Sequence, residues 1–478
     1  MEPLIGYAPD LDPTTPGIIT DCTNLIPTLK GMRGGYSGAD VGLDALAAAT
    51  ISAAVVVKLD ASQRLIAGTA TKLYEKNGTG WSDVSGSSYN ASASFPWRFA
   101  QFGDTTLAAN KGDTLQSSNS GAFADVAGAP KAGAICAVNG FVMLANTNEA
   151  TYGDSPDRWW CSGFNDATDW TPAIATQCTT GRLVDTPGSI RAIKALGYDV
   201  VAYKERSMYL GRYSGPPEAW DFTLIPGDIG CSSQDAIVNI GTAHVFIGYE
   251  DFYLFDGSRP VPIGSPLREW FFNDLDSNYR YTIRGMHDRA HSLVYFHYPR
   301  NGSSGALNGC VVYNYKSNKW GLAHRSVETP IEYITGGYTW DTLPLTTWDS
   351  WPEVPYDSPF WTATREVAAY IGTDHKVYSL TGASSTSSLT TGDVGDDQEF
   401  SLLSRINFRY LDKPDSATLT NYYQNEHGGT WTTDATTTES NQRFDMLRSA
   451  RWHKGMADFV GDVEVSAVDF HLAPDGEE

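Results

Sequence analysis

The chain has 478 residues, 12% of them aromatic, and its 56 acidic against 34 basic side chains give a formal net charge of -22. That balance argues against direct nucleic-acid binding as a primary function, because a protein that grips DNA concentrates Lys and Arg against the phosphates. It fits a well-solvated surface, and equally a conduit through which DNA slides without sticking to a wall of like charge.

Residues 1–59 read as an N-terminal arm and lead-in. Pro9, Pro13, Pro16 and Pro27 interrupt any regular pattern, and Lys30-Gly31-Met32-Arg33-Gly34-Gly35 looks like extended chain that docks on something else. The one stretch with helical propensity, Leu43 to Ala49, is short and is turned back toward strand by Val55-Val56-Val57. Nothing near Met1 couples a basic region to an apolar core, and no segment has the length of a membrane span, so a protein used in solution without membrane insertion is expected.

Residues 60–382 repeat one plan, clearest from Asp199 to Gly264. Val200-Val201-Ala202-Tyr203, a charged turn Lys204-Glu205-Arg206 and Met208-Tyr209-Leu210 form one unit. Val245 to Gly248, Tyr249-Glu250-Asp251 and Phe252-Tyr253-Leu254 form the next. Apolar runs separated by a few polar residues pair as β-hairpins, and recurrence at roughly 40 to 50 residues is the mark of propeller blades. Weaker versions run from Leu65 to Trp81, Thr106 to Val126, Phe141 to Trp170, Ser292 to Trp320 and Val367 to Leu380. About seven units result, so the expected fold is all-β, a six- or seven-bladed β-propeller with an extended N-terminal arm and a C-terminal β-sheet or sandwich element. Trp81, Trp170, Trp220 and Trp320, at strand ends, are expected to pack between blades as large apolar anchors.

Late in the propeller an aromatic insertion at about 338–361 carries Trp340, Trp348, Trp351, Phe360 and Trp361. Its prolines keep it from being an ordinary central strand, so it either folds over a blade edge or is buried against a partner. Residues 383–397 open as a Ser/Thr-rich, low-complexity linker. In 398–478, Phe400 to Tyr410, Thr418 to Tyr423, Arg448 to His453 and Asp462 to Leu472 alternate as sheet strands do. This C-terminal β domain completes a sandwich, closes the propeller or pairs with a neighbouring subunit.

Catalytic patterns are missing from the sequence. Nine histidines are dispersed, and the His287-Asp288-Arg289-Ala290-His291 run has no Glu between its histidines, so a zincin pattern is missing; neither a G-x-S-x-G elbow nor a phosphate-cradling Gly-rich loop occurs. Asp274-Leu275-Asp276-Ser277-Asn278 begins like a calcium loop, but Tyr279 stands where Gly is needed and Gly285 where the bidentate Glu belongs. Cys22, Cys136, Cys161, Cys178, Cys231 and Cys310 lie too far apart in sequence for a zinc knuckle or redox pair, and free, mostly buried thiols are expected. Asn425 to Trp431 is similar to the turn motif of sialidase propellers but lacks its Ser and Asp and occurs once. No catalytic, cofactor-binding or metal residue is therefore assigned, and none of the binding residues is known.

Lys204 to Tyr209, Pro226 to Cys231, Gly241 to His244 and Phe252 to Pro260 resemble segments of propeller proteins encoded among the tail genes of tailed bacteriophages. Asn24 to Thr28 with Gly31 to Arg33, Pro355 to Trp361 and Ala450 to His453 extend the resemblance over nearly the whole chain. Each segment alone is structural in character, and their order is what identifies the family, the tail-hub or nozzle protein of short-tailed phages, also called the packaged-DNA stabilisation protein. The resemblance implies a non-enzymatic virion tail protein without cofactors, assembled in the host cytoplasm. It would form a homohexameric ring below the portal and adaptor, touching tail fibres or tailspikes. Such a ring would continue the DNA channel and retain the packaged DNA until ejection, the duplex passing without sequence-specific binding. The arm from Asn24 to Arg33 and the Trp340 to Trp361 loop are the first candidates for contacts, with intrachain packing the competing reading. The alternative function is a tail-associated propeller that binds or cleaves host surface glycans, sialidase-like or lectin-like.

Overall fold

Five of the hairpin units become free-standing, four-stranded antiparallel sheets in the computed structural model, which describes residues 2–59, 62–335, 365–426 and 428–475. In chain order they begin with the strands Ser52–Val57, Arg98–Phe102, Lys131–Val138, Ile190–Leu196 and Ile237–Asn239. Each is an up-and-down meander joined by tight turns. Between Val138 and Phe141, which pair directly, Asn139 and Gly140 sit at φ +47° and +78°. Two consecutive left-handed residues make the turn whose twist matches the flanking strands, and Asn-Gly is the dipeptide that tolerates it.

The second strands read as apolar runs rather than alternating ones. In Asp199–Lys204 everything from Val200 to Lys204 is buried, because both faces of the strand are covered by neighbouring sheets. The first strands follow one another around a circle, Ile190–Leu196 meeting the next unit through the short turn Gln234–Ala236, and Val327–Thr335 returns to Ser52–Val57 to close it. Separate apolar clusters fill the gaps between successive sheets. The four tryptophans sit in these gaps as expected. Trp220 meets Phe141 of the preceding sheet at a ring separation of 5.7 Å, and Trp320 meets Phe252 at 4.7 Å. Trp170 and Trp81 pack likewise into clusters shared by two sheets. The fold is an all-β propeller.

The number of free-standing blades, five, differs from the six or seven expected. The two remaining units are present as meanders, Arg284–Asp288 to Lys319–Leu322 and Val327–Thr335 to Val377–Gly382, but both lie within one fourteen-stranded sheet. They merge because other parts of the chain hydrogen-bond to their edges. Ser37–Asp40 adds antiparallel to Val377–Gly382 as an outermost strand, and Leu25–Pro27 adds to Lys319–Leu322. A single Leu307–Val327 pairing links the two meanders.

Beyond the propeller, two sheets stack as a sandwich. One contains Arg443–Ala450, Ser401–Asp412 and Glu464–Pro474. The other runs Gly6–Tyr7, Ile18–Thr23, Thr386–Thr391, Trp452–Val460, Ser416–Gln424 and Thr432–Thr438. Phe408 and Phe459 meet edge to face across the layers at 5.7 Å. Of the alternatives for the C-terminal segment, the sandwich is the one formed, and it needs strands from the arm.

Several expectations are corrected at this level. The Ser/Thr-rich stretch expected to be a linker holds the strand Thr386–Thr391, paired on both sides, because its alternation places Ser387, Leu389 and Thr391 inside and the small residues fit between two sheets. The arm is strand rather than irregular docking chain: Leu25–Pro27 and Met32–Gly34 form a hairpin that joins the propeller edge to Glu464–Pro474 of the sandwich. Arg448 to His453 is a corner rather than one strand, since Arg443–Ala450 and Trp452–Val460 belong to opposite sheets. No helix forms over Leu43 to Ala49; among the described residues the α-helix is Arg268–Asp274. Its start carries no local side-chain cap, and the free N–H groups of Glu269 and Trp270 instead donate to the distant Asp10 carboxylate, a partner that no local pattern reveals. The aromatic insertion at about 338–361 lies outside the described residues apart from its flanking strands.

Candidate functional site

The first strands of the blades converge on an axial cavity of about 450 Å³. Its wall combines apolar side chains, among them Val55, Phe99, Val238 and Ile331, with six ionisable ones: Arg98, Lys194, Arg284, Arg289, Asp235 and Glu332. Cations outnumber carboxylates there, the reverse of the whole chain. The size matches a small-molecule pocket and is far too small for a duplex. The acidic conduit suggested by composition is thus not the propeller's own axis.

The cations differ in how they are held. Arg98 donates to the Gly133 carbonyl, and its one carboxylate contact among the described residues is a long 3.5 Å one to Asp235. Arg289 is paired with Glu366 at 2.9 Å. Arg284 is 8% exposed and donates to the Thr329 hydroxyl at 2.7 Å, but among the described residues it has no carboxylate within ion-pair distance. Burial holds its pKa below the usual arginine value, with Asp235 opposing and Arg98 reinforcing. Half-buried Lys194 likewise has no ion pair among the described residues. Glu332 accepts the His287 backbone N–H at 3.2 Å, and burial raises its pKa, which favours the uncharged acid. Sequence reasoning missed this group. The available signal was positional: Arg98, Lys194 and Arg284 each stand on the first strand of a repeat unit, visible only once the units are aligned on their inner strands.

The segments singled out in the sequence turn out to brace one another. Lys204 is fully buried, its ammonium donating to the carbonyls of Leu183, at 2.9 Å, and Thr186. Burial lowers its pKa. Cys231 donates its N–H to the Lys204 carbonyl at 3.0 Å, and a Cβ on Gly230 would sit 2.3 Å from that same oxygen, so Pro226 to Cys231 and Lys204 to Tyr209 close on each other. His244 bridges Tyr203, at 2.8 Å, and the Ala195 carbonyl, at 2.9 Å. Trp452, at the sandwich corner, donates to Asp397 at 2.9 Å.

Of the two contact candidates, the arm from Asn24 to Arg33 is committed largely to intrachain packing. Leu25, Ile26 and Met32 are buried, and the Thr28 hydroxyl donates to Glu464 at 2.7 Å. Leu29, at the hairpin tip, is exposed. The Trp340 to Trp361 loop lies outside the described residues. In the calcium-like run, Asp274 instead accepts from Arg300 and Tyr298, and Asp276 caps the following turn. Among the described residues, no group of three or more His, Cys, Asp and Glu is placed to hold a metal ion. Asn425 to Trp431 follows a strand of the sandwich rather than of a blade. All six cysteines are free and buried, and burial pushes the thiols of Cys136, Cys161, Cys178 and Cys310 up to about 12. No helix among the described residues is long and apolar enough to cross a membrane.

No family model and no curated protein matches the chain. Similar solved structures include the Pan2 WD40 domain of Neurospora crassa, at 9% identity over 72% of this chain and 95% of that one with a TM-score of 0.40. YCF48 from Cyanidioschyzon merolae is similar at 9% identity over 63% and 92% with a TM-score of 0.35. An extracellular domain of a hybrid two component system from B. thetaiotaomicron is similar at 8% identity over 86% and 49% with a TM-score of 0.42. Likenesses this distant carry no argument about function.

Proposed function

We propose that this chain is a structural virion protein, a tail nozzle or hub subunit that forms a homohexameric ring below a portal and adaptor complex and helps retain packaged DNA until ejection. The observation that carries the reading is the end-to-end order of the segments that resemble that family, from Asn24 to His453. The charge of -22 supports a wall that repels phosphate. Because the axial cavity is only about 450 Å³, any duplex channel must run between subunits rather than through a propeller.

The build also suits a load-bearing part. One hydrogen-bonded sheet runs from the propeller through the hairpin at Leu25–Pro27 and Met32–Gly34 into the sandwich, and one apolar cluster spans both bodies, from Phe252, Phe296 and Trp320 to Phe408 and Phe459. A continuous core resists hinge motion between them. We further take the two merged meanders as sixth and seventh blades, since each contributes a first strand to the closed inner circle. A heterologous ring with one face of each subunit on a different face of the next would follow. Electron microscopy and light scattering of the purified chain, alone and with an adaptor ring, test the proposal. A closed ring with an axial duplex-sized channel is expected. A monomer or trimer that does not add to the adaptor and instead retains surface glycans would overturn it.

A further inference from the structure

We propose that the axial cavity is a binding site for a small organic anion, whose carboxylate or phosphate group is held by Arg284 and Lys194. The argument is one of unmatched charge. Arg284 is buried at 8% exposure, and among the described residues its one hydrogen bond goes to the neutral Thr329 hydroxyl and no carboxylate lies within ion-pair distance of it. A buried charge without a counter-ion is costly, and proteins generally pair or neutralise it. The guanidinium still has donors beyond the one spent on Thr329, and its planar fork fits a carboxylate or phosphate with two parallel hydrogen bonds.

The surroundings select for charge and for carbon. Among the described residues Lys194 lines the same cavity without an ion pair, and Arg98 adds a third positive group whose one carboxylate partner, Asp235, is 3.5 Å away. The acids offer no direct partner to Arg284: Asp235 lies 3.5 Å from Arg98 and, with Glu328, acts on Arg284 only from beyond ion-pair distance, while Glu332 accepts the His287 N–H and burial raises its pKa. Arg289 is already neutralised by Glu366. A bare inorganic ion would leave most of a cavity of about 450 Å³ unfilled, whereas Val55, Phe99, Val238 and Ile331 offer apolar wall to an organic body. The inference rests on the described geometry alone and does not depend on the ring reading.

The test is thermal melting of the full chain titrated with D-glucuronate, acetate or inorganic phosphate, each against sodium chloride of equal ionic strength. Saturable stabilisation by at least one of these anions beyond the chloride control is expected. Response to glucuronate and acetate identifies a carboxylate site, response to phosphate a phosphate site, and glucuronate outdoing acetate shows that the organic body contributes. Arg284→Gln and, independently, Lys194→Gln are expected to weaken the apparent affinity at least tenfold. Lys194 is only half buried, so the second variant keeps the test valid if the first does not fold. A flat response in all three arms, or titrations unchanged in a folded variant, would overturn the proposal.

Discussion

Arg64 shows how much a single side chain does in this architecture. Its guanidinium holds Glu75 of its own blade through two hydrogen bonds, at 2.7 and 2.9 Å, and reaches the next blade at the Thr106 hydroxyl, 3.1 Å away, and the Ser118 carbonyl, 3.0 Å away. Both ends of this clamp are largely shielded from water, so removing one partner leaves the others unsatisfied. Arg64→Ala is expected to destabilise the protein by about 3 kcal/mol in urea titrations, and Arg64→Lys to recover little, because an ammonium cannot occupy the two-pronged geometry. A loss below about 0.5 kcal/mol, typical of an exposed pair, would refute the clamp. Nothing in the sequence around Arg64 marks it. Its partners lie 11, 42 and 54 residues away, and only blade packing brings them together.

At the scale of the element, the hairpin at Leu25–Pro27 and Met32–Gly34 is where the arm stops being an appendage. Its composition, with Pro27, Gly31, Gly34 and Gly35, suppresses any strand signal, and its strands are three residues long. Leu25, Ile26 and Met32 are buried, Leu25 pairing with Leu322 of the propeller and Met32 with Val465 of the sandwich. Gly31 has no room for a side chain, since a Cβ would lie 2.1 Å from the Val465 carbonyl oxygen. Gly31→Val is therefore expected to cost about 2 to 4 kcal/mol, comparable to other overpacked core sites. Because the two bodies share a core, the loss should appear as one urea transition moved to lower denaturant. Separate transitions for the propeller and the sandwich would show that the hairpin does not couple them. The strand Thr386–Thr391 illustrates the same difficulty: Ser and Thr read as linker until a tight gap between sheets gives small residues a reason to be there.

For the molecule as a whole, buried neutral histidines make stability depend on pH. Burial pushes His244, His287 and His324 down to about 4 and His297 down to about 3, below the unperturbed value of about 6.5. The native state therefore refuses protons that the unfolded chain accepts. Their contribution is fully present above about pH 6.5 and is progressively lost as pH falls toward 4, the unfolded chain binding more protons throughout that window. Melting temperature is expected to drop clearly between pH 7 and pH 4.5. A flat profile over that range would show that these histidines titrate normally and that their sites are open to water.

The sequence by itself determined the strand repeat, its approximate spacing, the interior role of the four tryptophans and the all-β character. These follow from local periodicity and turn chemistry, which each hairpin carries within about forty residues. Only the tertiary structure decided how the circle is completed and what lies at its centre. The outermost strand of the last meander comes from Ser37–Asp40, more than 300 residues away in the chain. The sandwich borrows Gly6–Tyr7 and Ile18–Thr23 from the N-terminus. The basic axial cavity arises because Arg98, Lys194 and Arg284, unremarkable in their own strands, are brought to one axis by the closed inner circle. Pairings of that separation leave no local pattern, since their energy is realised only when the whole circle closes.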